Sequence, residues 1–368
     1  MKIKSIKLIG VDIPLGRNFG GSKYNVTKRC TIITQMETDT GLVSEVYNGD
    51  NRDHMAEIVK IIENELAPML IGQEVFAVER HWKTMFRAAE WNRDRKLVME
   101  AMACLDTALW DLMGKAAGVN VCRLLGGFRQ ELPIICIGGY YEKDKSLADL
   151  SQEMSRIRES GLMGCKVKVG GLSAEEDAAR VKAAREGGGD DFWIAVDANR
   201  GWPVSEAIRF ARLIENLDIK WFEEPCHWHD DARMMAEVRR QTRIPIDAGQ
   251  SEATAAGVRR LVDAGAVDIV NFDASEAGGI TEWRRAAALC GLHDIEVGHH
   301  EEPQIATHMI AAIPNGVCVE CFEPARDPIW AGMITNRPQP KDGMIAVPQE
   351  PGFGLKLDWD MVKRYQVY

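Results

Sequence analysis

The spacing of apolar positions changes twice along the chain. Over residues 1–50 it follows the two-residue period of strands: IKSIKLIGVDIPL, a polar loop RNFGGSKYNVTK, then RCTIITQMETDTGLVSEVY with an Asp-Thr-Gly turn, a pattern that predicts a meander. From about 53 to 126 apolar residues fall three and four apart, in AEIVKIIENELAPMLIG, VERHWKTMFRAAE and VMEAMACLDTALWDLMGKAAG, which predicts helices packed on that meander. From about 134 eight short β-type runs (IICIGG, GCKVKVGG, WIAVDANRGW, IKWFEEP, IPIDAGQSE, VDIVNFDAS, DIEVGHHEE, GVCVECFEP) alternate with amphipathic stretches such as SAEEDAARVKAAREGG and TEWRRAAALCGL. Repeated strand-helix units predict a parallel sheet, and eight such strands close most easily into a TIM-like β/α barrel.

Barrels of this kind do their chemistry at the C-terminal ends of the strands, so those ends carry the candidates. In order they are Lys166 and Lys168, Asp197 and Asn199, Glu223 and Glu224, Gln250, Asp273, His300 and Glu320. Lys166 and Lys168 are two apart on one strand and therefore leave the same face, into the barrel mouth. Two ammonium groups so aimed need anions, which Asp197 and Glu223 supply. Carboxylates from adjacent strand ends are also oxygen ligands suited to a hard cation such as Mg²⁺. Any one of these residues alone reads as a helix cap or a satisfied core group. Burying the whole set without a function would cost several kcal/mol for each group.

Composition narrows the partners. The 368 residues are 46% hydrophobic and 27% charged, a globular composition large enough for a barrel with a second domain. The formal charge of -10 and pI of about 5.4, with the basic residues interleaved among acidic ones, argue against nucleic acid or an anionic membrane as partner. No apolar run approaches secretory or membrane-spanning length, so a cytoplasmic location is expected. Nine irregularly spaced cysteines read as reduced thiols, and the single C-x-x-C, Cys318 to Cys321, lies in a β-type run without a second pair. No phosphate-binding or dinucleotide loop is present, and His227, Trp228 and His229 read as an ordinary loop.

Lys-x-Lys in GCKVKVGG, VDANRGW, WFEEP, DASEAGGIT, the His of GHHEEPQIATH, the Glu of VCVECFEP and the segment AMACLDTALWDLMGKAAGVNVCRLLGG, taken in order, resemble the mandelate racemase group of the enolase superfamily over essentially the full length. The resemblance implies a modified (β/α)7β barrel over 126–325, an α+β capping domain over 1–125, and a segment over 326–368 that returns to the cap. It also implies an enzyme that binds Mg²⁺ and removes a proton α to a carboxylate. By position, Asp197 and Glu223 match metal ligands, Lys168 the base on one face, and Asp273 with His300 the base or acid on the other. Lys166 and Glu320 match contacts to the substrate carboxylate, and Asn199 is expected to be a further substrate contact. The set makes physical sense, because a metal, Lys166 and a protonated Glu320 would all stabilise charge that develops only in the enediolate. To act as base Lys168 must be neutral, and the Lys166 ammonium with Mg²⁺ is expected to lower its pKa.

Two departures from the family pattern matter. IPIDAGQSE puts Gln250 where a third carboxylate ligand is usual, with Glu252 as the alternative ligand two residues on. If Ile246, Ala248 and Gln250 share the interior face, Gln250 is the ligand and Glu252 stands behind it. The second is Glu276, which occupies the place of the second catalytic lysine of the muconate cycloisomerase subgroup and argues against that subgroup. The leading expectation is dehydration of an aldonate or aldarate, with racemisation or epimerisation through Lys168 and His300 as the alternative. A binding module that merely kept the fold would show eroded ligands, and only Gln250 hints at that. Specificity is expected in the polar loops, through Arg17, Lys23, Tyr24, Arg29 and residues 47–52, including Asn48. A small carboxylate substrate and further copies of the same chain in a homo-oligomer are the expected partners.

Overall fold

The computed structural model describes residues 1–49, 52–91 and 93–368. Three antiparallel strands, β1 (Ile3–Gly20), β2 (Asn25–Thr38) and β3 (Val43–Asn48), form the meander in the order β1-β2-β3. The expected polar loop is largely strand, since the β1–β2 ladder resumes beyond Pro14 with the pairs Phe19–Val26 and Gly20–Asn25. Phe19 and Val26 supply the reason, being buried in a small cluster with Tyr140 and Phe322. Only residues 21–24 remain as the turn of a long hairpin.

Helices then cover one face of the meander. The helix Arg95–Ala117 starts at Asp94, whose side chain accepts from the Lys96 N–H, and ends at Gly118 in the left-handed conformation. It is buried along most of its length and docks on the barrel near Gly279: Thr281 donates to Asp106 through its backbone N–H (2.9 Å) and its hydroxyl (2.7 Å). Gly279, at φ +95, is needed for this approach, because a Cβ there would sit 2.4 Å from Asp106 Oδ2.

Eight parallel strands follow: β4 (Glu131–Gly138), β5 (Gly164–Lys168), β6 (Trp193–Asp197), β7 (Ile219–Glu223), β8 (Ile246–Asp247), β9 (Ile269–Val270), β10 (Glu296–Val297) and β11 (Val319–Cys321). Their order is β10-β9-β8-β7-β6-β5-β4-β11. The ring closes where Val297 N–H donates to Asn315 O and Val317 N–H to Val297 O. Seven helices alternate with these strands; those at 147–159 and 174–188 begin with reciprocal caps, Ser146 with Asp149 and Ser173 with Glu176. Ile135, Ala195, Trp221, Ile269 and Cys318 fill the barrel interior, while Val167, Ile246 and Ala248 join the main core.

The C-terminal segment serves both parts. Its strand β12 (Met344–Ala346) pairs antiparallel with the start of β4, and Val367 N–H then donates to Gly10 O on β1. All nine cysteines are buried. Among the described residues no helix is long and apolar enough to cross a membrane.

Candidate active site

The strand register aligns the ionisable side chains. Lys168 pairs with Asp197, Asp197 with Glu223, and Glu223 with Asp247, so one row of charged groups runs across β5 to β8 on the interior face. Lys166 Nζ lies 2.9 Å from Glu223 Oε1 and 2.6 Å from Glu320 Oε1. Lys168 Nζ donates to Asp197 Oδ2 at 2.5 Å. Asp197 also accepts from the Asn199 backbone N–H (2.8 Å) and side-chain amide (3.1 Å), and Glu223 Oε2 accepts from the Trp221 indole (3.2 Å).

Across the ring, His300 Nδ1 lies 3.0 Å from Asp273 Oδ2, and Asp273 Oδ1 accepts from the Ser275 N–H at 2.7 Å. Both sides open on one cavity of about 520 Å³, whose wall includes Lys168, Asn199, Gln250, Asp273, His300 and, from the cap, Lys23 and Tyr24. Backbone strain collects around it: Asn199, Arg200, Glu224, Glu301 and Glu302 all have φ between +39 and +62. Non-glycine residues hold that conformation only when their surroundings enforce it, at about 1–3 kcal/mol each. The hairpin tip is pinned over the mouth by Ser22 Oγ donating to Ala198 O (2.8 Å) and Tyr141 N–H to Gly20 O (3.1 Å). Gly21 permits this contact, since a Cβ would lie 2.8 Å from Asn199 Oδ1.

Among the protein's own groups, electrostatics does not supply the expected lowering of Lys168. Burial opposes charge on Lys168, but the Asp197 carboxylate outweighs it and holds the amine well above its ordinary pKa rather than below. The Lys166 ammonium is too weak a repulsion to reverse that contact. Lys166 is likewise held high by Glu223 and Glu320 against its own burial. Burial pushes the Glu223 carboxyl up to about 8, and Lys166 only partly offsets it. Asp273 is also buried, but His300 and His299 bring it down to about 2.

The third-ligand reasoning needs correcting. In β8 the interior-facing residue is Asp247, whereas Ile246 and Ala248 turn outward into the main core. The ladder stops at Asp247, and Gly249 at φ +145 redirects the chain. Gln250 therefore reaches the cavity by that bend and not by alternation. Its amide donates to Glu224 Oε2 and its Oε1 accepts from Asn271 Nδ2, each at 3.3 Å. Glu252 stands away from the cavity, accepting from Arg260 Nη2 at 2.6 Å.

Among the cap residues Lys23, Tyr24 and Arg29 line the cavity, but Arg17 does not; it is exposed and pairs with Glu142 at 2.6 Å. Asn48 is fully buried, donating to Thr107 and Ser275 at 3.0 Å each, so it cannot contact a substrate. Asp50 and Asn51 lie outside the described residues. Arg52, within the expected 47–52 stretch, lines the cavity, whereas sequence reasoning missed Asp247 and Glu301. Asp247 was hidden by the face of β8, and Glu301 by its His300 neighbour, although HHEE in a strand-end loop was visible.

Among the described residues no three carboxylate, imidazole or thiol groups form a preformed metal cage. The donors in this region are nonetheless hard oxygens: the Asp197 and Glu223 carboxylates on paired strand ends and the Gln250 amide on the cavity wall. Asp247 Oδ1 and Asn199 Oδ1 are buried nearby without a hydrogen-bond partner. This donor set fits Mg²⁺ in kind.

Residues 17–126 match the mandelate racemase/muconate lactonizing enzyme N-terminal domain, and residues 149–361 match the enolase C-terminal domain-like family. The chain belongs to this family. A mandelate racemase/muconate lactonizing enzyme from a marine actinobacterium, solved in complex with magnesium, superposes with TM-score 0.94 at 45% identity, covering 100% of this chain and 99% of that one. L-talarate dehydratase from Polaromonas sp. JS666, solved with Mg and L-glucarate, gives TM-score 0.91 at 28% identity over 100% and 98%. The D-galactarolactone cycloisomerase of Agrobacterium fabrum is 28% identical over 382 residues, covering 100% of this chain and 99% of the relative. Family membership makes the protein an enzyme of the enolase superfamily with a capped barrel.

Proposed function

We propose that this enzyme is a Mg²⁺-dependent dehydratase of a sugar acid, an aldonate or aldarate. The observation that carries the reading is that Lys168 and the His300–Asp273 pair stand across one polar cavity from each other, beside Asp197 and Glu223. Asp197, Glu223 and Gln250 would hold the metal, which supplies Lewis-acid stabilisation of the charge that develops on the substrate carboxylate.

The remaining steps belong to the chain. Lys166 and Glu320 bind the substrate carboxylate, and Asn199 orients the chain of hydroxyls. Lys168, released from Asp197 once that carboxylate is engaged elsewhere, gives its ammonium proton to solvent, and the neutral amine then takes the α-proton. His300 gives its proton to the β-hydroxyl as the C–O bond breaks and water leaves, and the resulting enol tautomerises to a 2-keto-3-deoxy acid. Residues 1–125 act as the lid, 126–325 as the catalytic barrel, and 326–368 tie the two.

Incubation with an aldonate and aldarate library tests this. A 2-keto product that forms with Mg²⁺ and disappears with EDTA is expected. The similarity to a cycloisomerase over the whole chain, and the presence of a base on each face, favour an isomerase as the second reading. That reading requires α-deuterium exchange, inversion or ring opening without a keto product, and such an outcome replaces the dehydratase.

A further inference from the structure

His300 has a carboxylate on each side. Its Nδ1 lies 3.0 Å from Asp273 Oδ2 and its Nε2 3.4 Å from Glu301 Oε1. A neutral imidazole carries a single N–H, so in this setting it would turn a lone pair on one of the two carboxylates. Only the doubly protonated ring carries a proton on the nitrogen beside each carboxylate.

Both carboxylates are held in place independently of the ring. Asp273 Oδ1 accepts backbone N–H groups from Ser275 and Glu276. Glu301 is gripped from the cap: its Oε2 lies 3.4 Å from Nη1 of Arg29 on β2, and its backbone N–H donates to Glu320 Oε2 at 3.1 Å. Arg29 is itself buried, with its guanidinium 4.1 Å from the Phe322 ring centre and its Nε donating to Arg326 O at 2.9 Å. Glu301 and Glu302 make the turn in the left-handed region, at φ +53 and +49, and this turn brings the residue after His300 back beside its ring.

We propose that Glu301 is a positioning residue that, together with Asp273, keeps His300 doubly protonated at rest, so that His300 enters the reaction as the proton donor and Lys168 as the acceptor. The inference rests on the reading of His300 as a residue of the reacting end. In the dehydration the Nε2 proton goes to the departing hydroxyl, the C–O bonding pair leaves with the water, and the ring is left neutral with Nδ1–H on Asp273. Other charged groups face the ring as well. Lys166 opposes its charge and Glu224 favours it, while His299, whose Nε2 lies 3.8 Å from Asp273 Oδ1, accepts the Ala274 N–H at that same Nε2 and leaves the carboxylate to His300. Burial also disfavours the charged ring, yet the Glu301 and Asp273 carboxylates outweigh it and hold His300 well above the ordinary histidine range. Because Arg29 belongs to the cap and Glu301 to the barrel, the acid is set only where the two parts meet.

The test is histidine-selective ¹⁵N NMR on the full chain, recorded with Mg²⁺ and again with EDTA, using His300→Asn to identify the resonance. At about pH 7.5, a unit above ordinary histidine, wild-type His300 is expected to show two protonated nitrogens. Glu301→Gln should lower its titration midpoint by a unit or more, a tenfold change in proton affinity, and Glu301→Asp should restore part of it. A singly protonated His300 in the wild-type protein at that pH overturns the proposal without any variant, and so does an unchanged midpoint in Glu301→Gln. Neither measurement needs substrate, so a chain that fails to dehydrate sugar acids can still pass this test, and an active dehydratase can fail it.

Discussion

Lys168 and Asp197, the expected base and the expected metal ligand, are bonded to each other at 2.5 Å. Each is held in its charged form by the other: Asp197 raises Lys168, and Lys168 is the strongest charge lowering Asp197 against its burial. The ammonium therefore occupies the carboxylate that a cation needs. Lys168→Ala removes that competitor, so Mg²⁺ should bind several-fold more tightly by calorimetry while turnover falls about 10²–10⁴-fold for want of the base. Weaker Mg²⁺ binding in this variant would mean that the ammonium does not compete for Asp197.

Gln250 tests the other side of the cation site. Its amide donates to Glu224, so Gln250→Glu sets two carboxylates against each other at 3.3 Å separation. In EDTA the variant should unfold several degrees below wild type. Added Mg²⁺ should recover that loss and bind more tightly than in wild type, because the site gains a negative charge. A melting temperature insensitive to Mg²⁺ would place Gln250 outside the cation's reach.

The barrel and most of the site were legible in the sequence because their signals are local. Eight β-type runs and 3.6-residue periods survive any tertiary context, and Lys166 and Lys168 had to share a face whichever face it was. What failed depended on partners in other strands. No single strand says which of its faces is interior, and for β8 only the Glu223–Asp247 pairing decides it, inward for Asp247 and outward for Ile246 and Ala248. Polar hairpin residues gave no strand signal, since their pairing is through backbone groups that every residue carries. Asn48 resembled a specificity residue because a buried amide bonded to Thr107 and Ser275 looks, in sequence, like any other polar loop residue.

Substrate choice should follow the hairpin tip. Lys23 and Tyr24 line the cavity from the cap, and among the described residues no ion pair to Lys23 is present, unlike Lys168, Arg29, Arg52, Lys96 and Arg200 on the same wall. Lys23→Ala should raise KM for the sugar acid about 10-fold, the order of one charge-assisted hydrogen bond, with kcat nearly unchanged. Asn48→Ala should instead lower the melting temperature. A KM effect confined to Asn48 would reverse this assignment of roles.

Asp106 and Thr281 join the cap to the barrel, and their contact makes stability depend on pH. Asp106 is fully buried, and burial pushes its carboxyl up to about 7 despite the two hydrogen bonds from Thr281. An acid whose pKa is higher in the folded than in the unfolded chain binds its proton more tightly when folded. Its contribution is complete below the ordinary value of 3.8 and is lost as pH rises towards about 7, where the folded protein must bury the anion. Asp106→Asn cannot titrate and can keep both contacts, its Oδ1 accepting from the Thr281 N–H and its amide donating to the Thr281 hydroxyl oxygen. The unfolding temperature of wild type relative to Asp106→Asn should therefore fall from pH 5 to about pH 7 and level off above it. A gap of constant size across that range, measured by calorimetry at each pH, would show that Asp106 does not change its charge there and that the junction between cap and barrel is held by packing alone.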